Sequence, residues 1–332
     1  MFVYTGNQAG ACRNTRNKKD IMKNKGNLSE QRLAHAWEEL QELADQGIAL
    51  PPESNRLAFA DPEFLLRRET RSIRLQIEML KPELELERRQ IDHTVVVYGS
   101  ARVPSPEFAA QVIAAAERTG DAASLAQAER WRRGAASYEA ARQFGRLVAE
   151  YSVGKPRQSH VYICTGGGPG IMEAANRGAS EMGEPTIGLN ITLPHEQQSN
   201  PYVTPDLNFK FHYFALRKMH FMVRAVALVV FPGGFGTLDE LFEVMTLVQT
   251  RKSAQVPIVL YDSAYWKKLL NLELLAEEGM ISPEDLNLLT YVDTPEDAWR
   301  EIRDFYLAKC SDPKKVAVAN GPCLVFNSHE PA

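Results

Sequence analysis

Apolar and polar positions repeat along this chain with two different periods. From about residue 93 onward, short β-branched or apolar runs without charges alternate with longer stretches whose apolar residues recur every three or four positions. Runs of the first kind are typical of buried parallel strands, and stretches of the second kind predict amphipathic helices that cover them. The pattern therefore predicts an α/β fold: a Rossmann-like, doubly wound parallel sheet with helices on both faces.

Five strands and six helices can be assigned individually from this pattern. The strands are predicted at Thr94–Tyr98, Val161–Cys164, Thr186–Ile191, Ala225–Phe231 and Pro257–Tyr261. The helices are predicted at Tyr138–Tyr151, Ile171–Met182, Tyr213–Arg224, Leu238–Thr250, Ala264–Glu278 and Pro295–Ala308.

Helical patterns also precede the first strand. Leu28–Gln46 has apolar residues at helical spacing and is followed by Gly47, a common helix end. Phe64–Gln90 is strongly charged with periodic Leu and Ile, and Pro82 is expected to interrupt it because proline removes a helical hydrogen bond.

These regions predict one large domain with additions. The polar, aperiodic N-terminus is typical of a disordered segment. The predicted parts are a disordered tail at 1–27, an N-terminal helical extension at 28–92, a Rossmann-like domain at 93–310 that includes a helical insertion at 103–133, and a C-terminal tail at 311–332.

Composition narrows the class of protein. The 332 residues carry a formal net charge of −4, which disfavours binding of nucleic acid through bulk electrostatics. No apolar run is long enough to span a membrane, and the N-terminus lacks the pattern of a secretory signal. The four cysteines lie far apart, as expected for reduced thiols. We therefore expect a cytoplasmic protein with neither a membrane nor a nucleic acid as its partner.

The first candidate ligand site is a glycine loop between a predicted strand and a predicted helix. Gly166–Gly170 contains four glycines and one proline. Glycine lets the backbone approach a ligand, and the N-terminus of the next helix offers N–H donors to an anion. The loop does not fit the NAD fingerprint, because Glu173 stands where that pattern needs a small residue. It predicts either a phosphate cradle or a tight turn without a ligand.

A second glycine loop follows the strand predicted at Ala225–Phe231. Gly233, Gly234 and Gly236 precede Thr237, and no Gly-Lys-Ser/Thr follows them, so the loop is not a P-loop. Glu240 then has two interpretations. It is either a catalytic carboxylate or the partner of Thr237 in a capping box, in which the two side chains only start the helix.

A basic pair, Arg217–Lys218, lies on the helix before this strand. Because the two residues are adjacent, their side chains cannot both point at the core. The pair is either a solvated basic edge or an anion clamp, since the planar guanidinium of arginine grips phosphate well.

Together these motifs resemble the Lonely Guy (LOG) family. Its members carry a Pro-Gly-Gly-x-Gly-Thr-x-x-Glu motif, an upstream Arg-Lys pair, a Gly-Gly-Gly-x-Gly-x-Met element and a Gly-Ser after the first strand. The matching segments here are Pro232–Glu240, Arg217–Lys218, Gly166–Met172 and Gly99–Ser100.

The resemblance covers roughly residues 95–250, and Leu80–Glu83 before it is similar to the longer bacterial branch of the family. Phe221 stands where the shorter plant-type members have Met, so their cytokinin specificity is not implied.

The resemblance implies an AMP nucleosidase-like phosphoribohydrolase. Such proteins cleave a nucleoside 5′-monophosphate, AMP or a related purine nucleotide, into free base and ribose 5-phosphate, with no cofactor and no metal. The label lysine decarboxylase is common in the family, but neither loop presents an evident lysine for pyridoxal phosphate. Relatives build the site at a dimer interface, so a homodimer or higher even homo-oligomer is expected, with the apolar positions of 242–248 buried in it.

Site roles follow from the same resemblance. By analogy with glycosidases, Glu240 would stabilise the positive charge that develops on the ribose or orient the water, with Asp239 as a possible helper. Arg217 would polarise the leaving base or hold the nucleotide. The residues expected to bind substrate, chiefly its phosphate, are Gly99, Ser100, Gly167, Gly168, Gly170, Met172, Lys218, Gly233, Gly234, Gly236 and Thr237.

Two other functions fit the same scaffold. One is a non-catalytic nucleotide-binding protein, a sensor or carrier that keeps both loops but lacks turnover. The other is a single-stranded DNA binder, which the acidic net charge disfavours.

Overall fold

The computed structural model describes residues 33–192, 198–310 and 326. The described chain divides into two units, one ending at Arg74 and the other beginning at Leu75. The tail predicted at 1–27, and all but Phe326 of the tail predicted at 311–332, lie outside the described residues. Within them, no helix is long and apolar enough to cross a membrane.

The N-terminal helices are α1 (Leu33–Asp45), α2 (Pro62–Leu66) and α3 (Arg71–Arg88). The helix predicted to end at Gly47 is confirmed from Leu33 onward, and Gly47 has the positive φ of 68° that favours glycine. The predicted interruption at Pro82 is wrong, since α3 runs through it. Pro82 is buried in that helix, so packing offsets the lost hydrogen bond. The helical pattern is interrupted instead after α2, where Arg67 is extended.

A seven-stranded parallel sheet forms the centre of the second unit, in the order β4-β3-β2-β1-β5-β6-β7. The strands are β1 (Thr94–Tyr98), β2 (Tyr162–Thr165), β3 (Ile187–Ile191), β4 (Asn208–Phe211), β5 (Ala225–Val230), β6 (Ile258–Tyr261) and β7 (Leu289–Val292). All five predicted strands are present, each bound within one residue of its prediction. The two that the pattern did not predict, β4 and β7, are short edge strands, and β4 alternates exposed and buried positions.

Helices cover both faces of this sheet, which confirms the Rossmann-like fold. They are α4 (Pro106–Thr119), α5 (Ala122–Ser152), α6 (Ile171–Glu181), α7 (Phe214–Val223), α8 (Phe235–Gln249), α9 (Ser263–Leu269), α10 (Leu272–Glu277) and α11 (Pro295–Cys310). Val95 and Val97 of β1 face the core that contains α5, α6 and α11 residues, whereas Val96 and Tyr98 face the core that contains α7, α8 and α9 residues.

Three helices differ from their predicted extents. The second part of the helical insertion and the returning helix predicted at Tyr138–Tyr151 form one continuous helix, α5, and Gly134 lies inside it, close to Pro104. The helix predicted at Ala264–Glu278 is two, since Leu270 is extended and the side chain of Asn271 caps α10. Finally, α8 begins three residues earlier than predicted.

Two glycines bring α5 and α6 into backbone contact. A Cβ at Gly145 of α5 would overlap the Ala175 carbonyl of α6, and a Cβ at Gly178 of α6 would overlap the Arg142 carbonyl of α5. Glycine is required at both positions because any side chain would separate the helices. This contact holds α6, the helix that follows the first glycine loop, close against α5.

Gly178→Ala should therefore destabilise the fold. Alanine favours a helix over glycine by about 1 kcal/mol, so helix propensity alone would stabilise the variant. The overlap with the Arg142 carbonyl should reverse this and leave a net loss of about 1–3 kcal/mol. Urea denaturation measures the difference, and a midpoint equal to or above that of the wild type would contradict the close contact.

Candidate active site

Two glycine loops meet where the strand order reverses, between β1 and β5. The backbone of Ser100, just after β1, joins them: its N–H donates to the Pro232 carbonyl (3.0 Å), and its carbonyl accepts from the Ile171 N–H (3.1 Å). Gly170 has a φ of 72°, and a Cβ there would overlap the Ser100 carbonyl. In open parallel sheets this is the usual position of a ligand.

A buried polar network shapes the first loop. The Thr165 hydroxyl accepts from the Gly167 N–H (2.9 Å) and donates to the Asn176 side-chain oxygen (2.7 Å). The Asn200 amide donates to the same oxygen and to the Gly168 carbonyl, both at 3.0 Å. Sequence reasoning missed Thr165, Asn176 and Asn200. The available signal was two polar residues at the end of β2 and inside α6, at positions whose neighbours are apolar.

The second loop does not end in a capping box. The first residue of α8 is Phe235 and its N-cap is Gly234, so Thr237 lies inside the first turn and is not the cap. Thr237 packs against Gly233, where a Cβ would overlap the threonine hydroxyl. If Thr237 were the cap, α8 would begin at Leu238, but it begins three residues earlier, at Phe235. The interpretation of Glu240 as a partner in a capping box is therefore wrong.

Glu240 lies beside Arg217 in the interior. Arg217 Nη1 is 3.6 Å from Glu240 Oε1, and only 14% and 9% of the two side chains are exposed. Arg217 also donates through Nε to the Leu189 carbonyl (2.7 Å), and its guanidinium carbon lies 5.0 Å from the centroid of the Phe221 ring. A Cβ at Gly166 would lie 2.6 Å from Arg217 Nη2, so the first glycine loop leaves room for this arginine.

Burial dominates the electrostatics of this pair. It raises the pKa of Glu240 to about 7, although the positive charges of Arg217 and Lys218 oppose the shift. Burial also lowers the pKa of Arg217, opposed by the charge of Glu240. A carboxyl group with a pKa near neutrality can exist in both protonation states at physiological pH, as acid–base catalysis requires.

Three further predicted site residues, Lys218, Asp239 and Met172, lie in two different places. Lys218 turns away from Arg217 and pairs with Asp239 Oδ2 (2.8 Å) and Glu243 Oε2 (2.6 Å), so Asp239 lies with Lys218. Met172 lies on the side of Arg217, its sulfur 2.9 Å from a Cβ placed at Gly166. Among the described residues, no group of three or more His, Cys, Asp or Glu side chains is placed to hold a metal ion.

Fold and site together define a Rossmann-like α/β protein with a buried carboxylate–guanidinium pair beside two glycine loops. The chain is similar in sequence to members of the LOG family. The family model described as "Possible lysine decarboxylase" matches residues 172–302.

Two relatives from Arabidopsis thaliana carry names that state an activity. Cytokinin riboside 5′-monophosphate phosphoribohydrolase LOG3 is 25% identical over 143 residues, which cover 42% of this chain and 65% of that protein. Cytokinin riboside 5′-monophosphate phosphoribohydrolase LOG1 is 29% identical over 90 residues, which cover 27% of this chain and 42% of that protein. The chain therefore spans less than two thirds of the length of these relatives.

Solved structures with a similar backbone fold include two molybdenum cofactor proteins. The molybdenum cofactor binding protein of Rippkaea orientalis has 20% identity and a TM-score of 0.40, over 64% of this chain and 97% of that chain. The Moco carrier protein of Chlamydomonas reinhardtii has 18% identity and a TM-score of 0.39, over 66% and 99%. Similarity at this level carries no information about what this chain binds.

The raised pKa of Glu240 predicts how stability depends on pH. Between pH 4.5, the ordinary pKa of the side chain, and about 7, the folded protein keeps a proton that the unfolded chain releases. The wild type should therefore lose on the order of 2 kcal/mol of stability as the pH rises through this window. Glu240→Gln, which cannot ionise, should escape this loss.

Thermal denaturation of both proteins at pH 4.5 and pH 8 measures this effect. The two should differ little at pH 4.5, and Glu240→Gln should be the more stable at pH 8. Parallel changes in Tm with pH would show that Glu240 is not buried as described.

Proposed function

We propose that this protein hydrolyses the N-glycosidic bond of a nucleoside 5′-monophosphate, AMP or a related purine nucleotide, to free base and ribose 5-phosphate. The observation that carries the proposal is the Arg217–Glu240 pair, buried beside two glycine loops at the point where the strand order reverses. The names of the relatives, phosphoribohydrolases of cytokinin nucleotides, support the same reaction class.

The 5′-phosphate is assigned to the N-termini of α6 and α8. The first N–H groups of a helix have no partner within it and carry partial positive charge, so both ends favour an anion. Glu240 lies five residues after Phe235, the first residue of α8, or about 7.5 Å along the helix axis. A sugar bound with its phosphate at the helix start would thus bring its anomeric carbon toward Glu240.

Glu240 then serves the bond that breaks. As a carboxylate it stabilises the positive charge that develops on the ribose, or it orients the attacking water. Arg217 holds the nucleotide or polarises the leaving base, and its electrostatic interactions with either are stronger in this low-dielectric site than in water. The predicted binding roles of Ser100, Lys218 and Thr237, and the helper role of Asp239, remain part of this proposal.

The homodimer expected from the family resemblance also remains a proposal. A groove of about 890 Å³ between α7 and α8 is lined by Met219, Phe235, Phe242 and Leu247, among others. Phe235 is 92% exposed although it belongs to the second glycine loop. A second copy of the chain that covered this groove would bury the apolar side of 242–248 next to the site.

The phosphate should decide which substrates react. AMP should release adenine, and adenosine should react with a kcat/KM lower by about a hundredfold or more, because several charge-assisted contacts are lost from the transition state. Chromatographic detection of free base from a panel of nucleoside monophosphates and their nucleosides tests this. Equal rates for AMP and adenosine would overturn the assignment of the loops, and binding of AMP without base release would support a sensor or carrier instead.

Glu240→Gln should abolish most of the turnover. The substitution keeps the shape of the side chain and removes its charge, so kcat should fall by about a hundredfold or more while nucleotide affinity survives. Glu243→Gln is the matched control, because it makes the same charge change less than one turn along α8, on a side chain that pairs with Lys218. Full activity of Glu240→Gln would exclude Glu240 from catalysis.

A further inference from the structure

Helix α7, which carries Arg217, is held at its N-terminus by a carboxylate of α3. Glu78 Oε1 accepts the backbone N–H groups of His212 (2.9 Å) and Tyr213 (2.8 Å), the N-cap of α7. A negative charge at this end of a helix stabilises it, since the N–H groups there have no helical partner.

A second carboxylate of α3 holds the other end of α7. Glu83 binds the guanidinium of Arg224, the C-cap of α7, through two parallel hydrogen bonds of 2.8 and 2.7 Å. Arg224 also donates through Nε to the carbonyl of Ile91 (2.9 Å), just before β1. Bidentate pairs of this kind restrict both distance and orientation.

The carboxylate of Glu83 also contacts a buried histidine of α7. Glu83 Oε1 lies 3.2 Å from Nδ1 of His220, whose side chain is fully buried on α7 and lies against the Phe211 ring. Burial lowers the pKa of His220, so the ring favours its neutral form. The hydrogen bonds to Arg224 hold the pKa of Glu83 below its ordinary value, so Glu83 stays charged.

We propose that Glu78 and Glu83 are positioning residues that fix α7 in place and thereby set the distance between Arg217 and Glu240. Helix α7 has only ten residues, and its side chain Arg217 must meet Glu240 of α8 across the site. Anchors at both of its ends restrict sliding and tilting, which would otherwise separate the two charges. The segment Leu80–Glu83 does not take part in the proposed reaction, but through Glu83 it positions α7. The effect on turnover rests on the proposed function, whereas the effect on the position of α7 does not.

Glu83→Gln is the main test. It removes one charge while keeping the shape, so the fold should survive while α7 loses its C-terminal anchor. For AMP we expect kcat to fall by about tenfold to a hundredfold, the scale of small misplacements, with KM changed less than about twofold. Glu85→Gln is the matched control. Glu85 lies on the same helix and also binds arginines, but Arg88 and Arg89 are at the end of α3 and not on α7. Glu85→Gln should leave kcat unchanged.

A second measurement does not depend on activity. The titration of the Glu240 carboxyl can be followed by ¹³C NMR, with its signal assigned by its absence in Glu240→Gln. In Glu83→Gln, Arg217 should recede and oppose the raised pKa less, which moves the midpoint upward by about half a unit. Glu78→Ala, which keeps helix propensity in α3, should move it in the same direction.

These two measurements separate the hypotheses. If the midpoint shifts upward in the variants but the wild type releases no base, the positioning role holds and the proposed function is rejected. An unchanged midpoint in both variants, or a downward shift that indicates a site opened to water, would overturn the positioning role even if the wild type hydrolyses AMP. A loss of kcat equal in Glu85→Gln and Glu83→Gln would overturn it too.

Discussion

The buried pair of Arg217 and Glu240 is the interaction on which the rest of the site depends. Removing two charged groups from water costs several kcal/mol for each, and their attraction offsets that cost only with good geometry and further hydrogen bonds. The structure supplies these: the Leu189 carbonyl binds Arg217, Phe221 lies against its guanidinium, and Gly166 leaves space for it. The burial that makes the pair costly also raises the pKa of Glu240, which a solvated glutamate would not show.

The parallel sheet determines where such a pair can be useful. All seven strands run in the same direction, so the helices that follow β2 and β5 begin at the same edge of the sheet. Under the proposed function, the phosphate would bind at these two helix ends, and Glu240 lies a short distance away, just inside α8. In that proposal, anion binding and stabilisation of the developing cation are separated along one helix, as a phosphorylated sugar requires.

The amino-acid pattern predicts the central part of the fold well. β1, β2, β3, β5 and β6 are apolar runs with few polar residues, and burial on both faces leaves no other location for such runs. Local signals fail where packing overrides them. Pro82 would interrupt an isolated helix, yet it lies buried inside α3. The edge strand β4 was missed because its half-exposed alternation is short.

By itself the sequence determined the α/β architecture, both glycine loops and the residues from which a site could be built, because those properties depend on local composition and order. It could not decide whether Glu240 caps a helix or faces a ligand, since Thr-x-x-Glu is the same pattern in both cases. Nor could it decide which of Arg217 and Lys218 turns inward. The tertiary structure decided both, because the start of α8, the burial of Glu240 and the direction of Arg217 depend on contacts between segments far apart in the chain.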